Sequence, residues 1–246
     1  MSEQRPRTTG DVTVLVVAMV SPIAYLLMLG LGWVLLAQWV PPVSPALSTR
    51  AYADEFLDHR SQIMGAAVVL MISTMTIMPF MGYLTTAVRR IEGRSGLLAM
   101  VMVISSTAFI TLNFLTGAAF ALAVFRPDRD PGLVQFAGDA GYFLFLGGTP
   151  TFLLIFAVLA YAGLVVQGRN TVILPRWLGW GCALTLMLFL PEIMLFFFRS
   201  GPFAYDGLFG FWIPTAIFIA DMLGITVAIW QVEFGFRGLP FVRRFA

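Results

Sequence analysis

Lysine is absent from this chain: every one of its 15 basic residues is arginine. With no side-chain ε-amine, a Schiff base to a carbonyl substrate or to a retinal-type chromophore is excluded. Histidine and cysteine occur once each, as His59 and Cys182. A single histidine excludes multi-histidine zinc sites, histidine-rich di-iron centres and bis-histidine haem ligation within one subunit. A single cysteine excludes an intrachain disulfide and a paired-cysteine metal site. Charge is scarce at 11% of residues, against roughly 25% in an ordinary soluble domain. No phosphate-cradling glycine loop, serine-hydrolase elbow or zinc-protease motif occurs, so no cofactor is expected.

What fills the chain instead is hydrocarbon. Hydrophobic residues make up 59% of it and the mean hydropathy is +0.87. Six continuously apolar stretches run over Asp11–Val40, Ser61–Val88, Gly96–Phe125, Ala140–Gly168, Arg176–Arg199 and Leu208–Glu233. Each exceeds the roughly 20 residues a helix needs to cross a hydrocarbon core. They do not alternate as barrel strands would. The first is too long for a signal peptide, and no small-residue cleavage site follows it. The expected fold is all-α: a polytopic membrane protein built as a single bundle of six transmembrane helices.

The arginines predict its orientation. Six spans place both termini on one side, together with Arg5, Arg7, Arg89, Arg90, Arg94, Arg169, Arg176, Arg237, Arg243 and Arg244. Only Arg50, Arg60, Arg126, Arg129 and Arg199 fall on the other side, where most of the acidic residues lie. The positive-inside bias therefore puts both termini in the cytoplasm, with the chain in a bacterial inner membrane. Trp39, Trp177 and Trp230 near span ends fit interfacial anchors. The expected partners are the lipid bilayer, a lipophilic small molecule or other membrane subunits. The net charge of +2 gives no reason to expect nucleic acid.

Among the connections, Pro41, Pro42 and Pro45 stop the first helix. Ser48 or Thr49 then offers a cap for a short helix through His59. Tyr52 and Phe56 share a face of that helix, expected on the membrane surface. Residues 126–139 read as turns around Pro127 and Pro131. Glu55, His59 and Asp139 form a weak metal-ligand set. Met64, Met71, Met75 and Met78 share one helix face, and packing explains them better than soft-metal ligation.

Two carboxyls lie deep within apolar spans, where a plain anchor would carry none. At 1.5 Å rise per residue, Glu192 lies about 10 Å below the outer end of its span and Asp221 about 20 Å. Asn113, at about 18 Å, is the expected hydrogen-bond partner of Asp221. Pro191, the Gly147–Thr151 interruption and Pro214 all fall at about 9–15 Å depth. Irregular backbone at such depth is tolerated where it lines a cavity or is buried in protein. An outward-facing vestibule between the last three helices is therefore expected, with Glu192 on its wall. Glu192, Asp221, Asn113, Thr149, Thr151 and Tyr205 are the candidate binding or pathway residues; Phe203 and Tyr205 read first as interface aromatics, with a lid over the vestibule as the alternative. No catalytic residue is assigned. The favoured reading is non-catalytic: a carrier or binding protein for a lipophilic or weakly polar solute, or a subunit of a larger membrane complex. The alternative is an intramembrane enzyme acting on a lipid or isoprenoid, with Glu192 or Asp221 as acid/base and Ser105, Ser106, Thr107 and Thr111 as added polar groups.

Overall fold

Apolar runs long enough to exclude water satisfy their backbone groups only as helices, and helices are what they form. The computed structural model describes residues 9–168 and 173–234. Of the orienting arginines, Arg5, Arg7, Arg169, Arg237, Arg243 and Arg244 lie outside the described residues. Helices α1 (Thr9–Gly30), α2 (Thr49–Asp58), α3 (Arg60–Glu92), α4 (Leu97–Val124), α5 (Pro131–Phe145), α6 (Thr149–Tyr161), α7 (Arg176–Phe189) and α8 (Ile213–Phe234) follow in order. Wider turns extend α1 over Leu31–Leu36 and α6 over Ala162–Val166, and another precedes α8 over Leu208–Trp212. Six helical segments are long and apolar enough to cross a membrane: Val12–Leu36, Arg60–Glu92, Leu97–Val124, Pro131–Val166, Arg176–Phe196 and Leu208–Glu233. The chain thus fits a multi-pass membrane protein. Its outward apolar side chains agree, Val14, Leu27, Met75, Phe136 and Met187 being largely exposed.

Each span packs on the next, and α8 returns to α1. Polar contacts pin these seams. Ser21 accepts from the Phe80 amide at 3.1 Å, where α1 crosses α3 beside Pro79. Tyr25 donates to Asn113 at 2.8 Å and ties α1 to α4. Arg60 donates to the carbonyls of Val124 and Phe125 at 2.8 and 2.9 Å, so a cation closes the C-terminus of α4. Near the opposite end Tyr83 donates to Glu233 at 2.5 Å, with Arg90 at 3.7 Å from the same carboxylate.

The structure departs from the sequence reading at two connections, those that follow the first and third spans. The first span ends at Leu36, not Val40, and Gln38 takes a positive φ of 55° as the chain turns back. Residues 131–139 are helical rather than turns. Asp130 caps the Gly132 amide at 2.9 Å, and Pro131 occupies the first turn, where its missing N–H costs nothing. The fourth span therefore begins nine residues before the expected Ala140. Helix α2 is capped by Ser48, which accepts from Ala51. Its Tyr52 and Phe56 face inward, fully buried, instead of lying on the membrane surface. Trp39 joins them in the interior rather than anchoring an interface.

At this aromatic end, Trp33, Trp39, Tyr52, Phe56, Phe120, Tyr142 and Tyr205 form one buried cluster. Trp39 and Phe120 have centroids 4.3 Å apart, and Tyr142 stacks on Tyr205 at 4.6 Å. Small residues permit this density. A Cβ at Gly141 would sit 2.4 Å from the Phe120 ring, and one at Gly138 would sit 2.6 Å from the Tyr52 hydroxyl.

Candidate functional site

The hinge between α5 and α6 determines the site. Gly147 and Gly148 leave no side chain where they turn: a Cβ at Gly147 would stand 2.3 Å from the Phe196 ring, and one at Gly148 2.8 Å from Leu112. The opposing element is the tight helical turn Leu190–Phe196, which continues α7. Pro191 supplies the reason α7 tightens there, because it cannot donate the next helical hydrogen bond. Close approach of these two irregular segments brings Glu192 onto Thr149. Glu192 is only 2% exposed, and its carboxyl meets the Thr149 hydroxyl. Thr149 also reaches the Leu146 carbonyl at 2.6 Å.

Beneath this pair lies a cavity of about 450 Å³. α1 lines it from Ile23 to Val34, α4 with Phe109, Leu112 and Asn113, and the α5–α6 hinge from Leu144 to Phe152. Phe189 and Glu192 close another side, and Phe211 with Pro214 to Leu223 completes the ring. The wall is hydrocarbon and aromatic except for Asn113, Thr149, Glu192 and Thr215, and no basic residue belongs to it. Its walls come from five spans, so it lies nearer the centre of the molecule than a vestibule between the last three helices.

The candidate residues fall in four places. Glu192, Thr149 and Asn113 share the cavity wall. Asp221 does not: it accepts from Thr185 of α7 at 2.9 and 3.0 Å. Asn113 is not its partner, because the Asn113 carbonyl oxygen takes the Tyr25 hydroxyl and its amide donates to Phe109 at 2.9 Å. Depth along a helix was readable from sequence; rotation about the helix axis was not, and here it separates the two. Thr151 bonds back to Gly148 at 2.8 Å and does not reach the cavity wall.

Tyr205 is no lid. It lies 1% exposed in the aromatic cluster, donating to Asp139 at 2.8 Å and contacting the Tyr52 hydroxyl at 3.3 Å. Burial holds both the Tyr52 and Tyr205 phenols well above their ordinary range. Phe203 stacks on Phe209 at 5.1 Å instead of covering the cavity. Asp139 is thereby engaged with Tyr205, away from the His59 ring, whose Nδ1 faces the Glu55 carbonyl at 3.2 Å. Among the described residues no three metal-ligating side chains converge. Met75 and Met78 point outward as part of the exposed apolar surface. Ser105 and Ser106 are buried, outside the cavity wall, and Ser106 finds no partner among the described residues. Sequence reasoning missed the contributions of Tyr25, Trp33, Gly30 and Thr215. Gly30, sitting in a helical stretch with no turn around it, was the one available signal.

Comparison with protein-family models, curated proteins and solved structures found no match to this chain.

Proposed function

We propose that this chain is a single six-helix bundle in a cell inner membrane, both termini cytoplasmic, and that it binds a lipophilic or weakly polar solute in the cavity beside Glu192. It acts as a small carrier or binding protein, not as an enzyme. The arginine distribution supports the orientation. The cavity carries the functional reading: about 450 Å³ of space with apolar walls and a few grouped polar atoms is the usual form of a small-molecule site. Acid/base chemistry asks for several free convergent groups, whereas the Asn113 carbonyl oxygen is already taken by Tyr25. A complex subunit is the second reading. It is favoured by Asp221, which pairs with Thr185 at a part-exposed α7–α8 seam that a neighbouring helix would cover.

Purified protein in detergent tests these readings against a panel of lipophilic compounds. A true ligand at a hundredfold excess over Kd adds about 2.7 kcal/mol of stability, and Glu192→Leu removes that gain. Absence of saturable binding by any compound removes the carrier reading. A stoichiometric copurifying chain, lost on Asp221→Asn, supports the subunit. Turnover of a lipid, lost on Glu192→Gln, supports the enzyme.

A further inference from the structure

The exposed part of the cavity wall lies on two neighbouring spans. Five of its lining residues are also exposed: Ile23, Leu27 and Val34 of the first span, and Ile219 and Leu223 of α8. Every other lining residue is buried or only partly exposed. Leu27 is 70% exposed, nine residues before the span end at Leu36 and hence about 13 Å into the membrane. These exposed lining residues flank the seam where the last span returns to the first, at a depth occupied by hydrocarbon. Gly30 lies in that seam, and a Cβ added to it meets nothing within 4 Å.

The polar end of the cavity has its own chemistry. The Thr149 hydroxyl carries one proton and faces two acceptors, the Leu146 carbonyl and the Glu192 carboxyl. With Glu192 in its acid form each contact has its own proton, the carboxyl donating to Thr149 and Thr149 to the Leu146 carbonyl. The remaining Glu192 oxygen takes no hydrogen bond from a described residue, and neither does the Thr215 hydroxyl. With no basic residue on the wall, an anionic head has no counter-charge, and a neutral carboxylic acid offers a cation little. A hydroxyl suits both open groups, donating to one and accepting from the other.

We propose that the occupant is a lipid alcohol, one hydrocarbon chain ending in a neutral hydroxyl, that enters sideways from the bilayer between α1 and α8 and sets its hydroxyl against Glu192. The proposal rests on the solute-binding reading above and adds the ligand class and the route. The probes are hexadecanol, hexadecanoate and hexadecylammonium, offered to the whole protein in phosphatidylcholine vesicles. Hexadecanol binds saturably, and the two charged analogues bind at least about tenfold more weakly, the ratio one hydrogen bond supplies. Glu192→Leu weakens hexadecanol by about tenfold, whereas Glu192→Gln, which keeps a carbonyl acceptor, stays within about threefold. A charged analogue binding best, or an indifferent Glu192→Leu, overturns the ligand class. For the route, exchange of tritiated hexadecanol is followed with Leu27→Trp and Leu223→Trp combined. Exchange slows by about tenfold, while Met187→Trp, on a lipid-facing position outside the cavity, leaves the rate unchanged. Saturable binding with an unaltered exchange rate overturns lateral entry alone. If none of the three probes binds saturably but another compound of the lipophilic panel does, the lipid-alcohol class alone is overturned; if no compound binds, the solute-binding reading falls with it. Gly30→Phe keeps the route testable should the double variant fail to fold, because a Cβ at that position meets nothing within 4 Å.

Discussion

The aromatic end and the cavity lie side by side, share the Trp33 ring, and use the same residue types to opposite effect. In the aromatic end, rings pack at 4.3–5.6 Å around Trp39, and glycines are placed where a methyl group has no room. Its hydroxyls are engaged with one another and with Asp139, and Tyr142 accepts from the Val43 amide at 3.2 Å. In the cavity, Phe152, Phe189 and Phe218 stand around open space, Gly30 faces a void, and Thr215 has no partner among the described residues. One region is finished by its own side chains. The other leaves room and hydrogen-bonding capacity that a bound molecule would take up, and this contrast, more than the presence of a carboxyl, distinguishes a site from a core.

The largest expected break in that contrast is Trp39→Ala. Trp39 is 3% exposed and touches Trp33, Phe56, Phe120 and Tyr142, so its removal costs about 3–5 kcal/mol. Phe218→Ala enlarges space that already exists and loses less than half as much. Chemical unfolding in mixed micelles measures both. Equal losses would mean that the cavity wall is packed as tightly as the aromatic end.

Next in size is a pair of single-methyl changes. Gly141→Ala drives a Cβ into a fully buried Phe120 ring and costs about 1–3 kcal/mol. Gly30→Ala meets nothing and adds helix propensity, so it gains up to about 1 kcal/mol. Opposite signs for two identical substitutions are the expected result, read from thermal unfolding. A destabilised Gly30→Ala would mean that the void closes in solution.

These glycines also mark the limit of what the sequence made legible. The six spans were readable because continuous hydrophobicity is a property of the chain itself, and composition reports it directly. The tight backbone around Pro191 and Gly147–Gly148 was readable too, since both residue types impose local geometry. The start of the fourth span was not, because the prolines and aspartates of 126–131 signal a turn and a helix cap with the same letters. Nor was the inward face of α2: Tyr52 and Phe56 suit a membrane surface or a core equally until Gly138 is seen to make room for them. The Asn113–Asp221 pairing failed because equal depth says nothing about which way two helices are turned. Glu192 and Thr149, 43 residues apart, meet only through the approach of two irregular segments, and no periodicity encodes that.

The smallest effect belongs to Tyr205→Phe, and it separates the two regions by pH. Loss of the hydroxyl removes the donor to Asp139 and costs about 1 kcal/mol at neutral pH. Burial raises the Tyr52 and Tyr205 phenols in the folded protein; Tyr205 and Asp139 raise Tyr52 further, whereas for Tyr205 the hydrogen bond with Tyr52 opposes the rise and Asp139 reinforces it. In the unfolded chain they ionise near their ordinary value of about 10. The folded state therefore holds these protons more tightly. Their contribution is complete below about pH 10 and is lost as pH rises above it. Wild-type stability should fall steeply in alkali, with the tyrosinate absorbance of these two phenols appearing only on unfolding. Tyr205→Phe should begin less stable but decline more gently, so the two curves converge as pH rises. Parallel curves would show that these phenols ionise freely in the folded protein, and that the aromatic end is open to water.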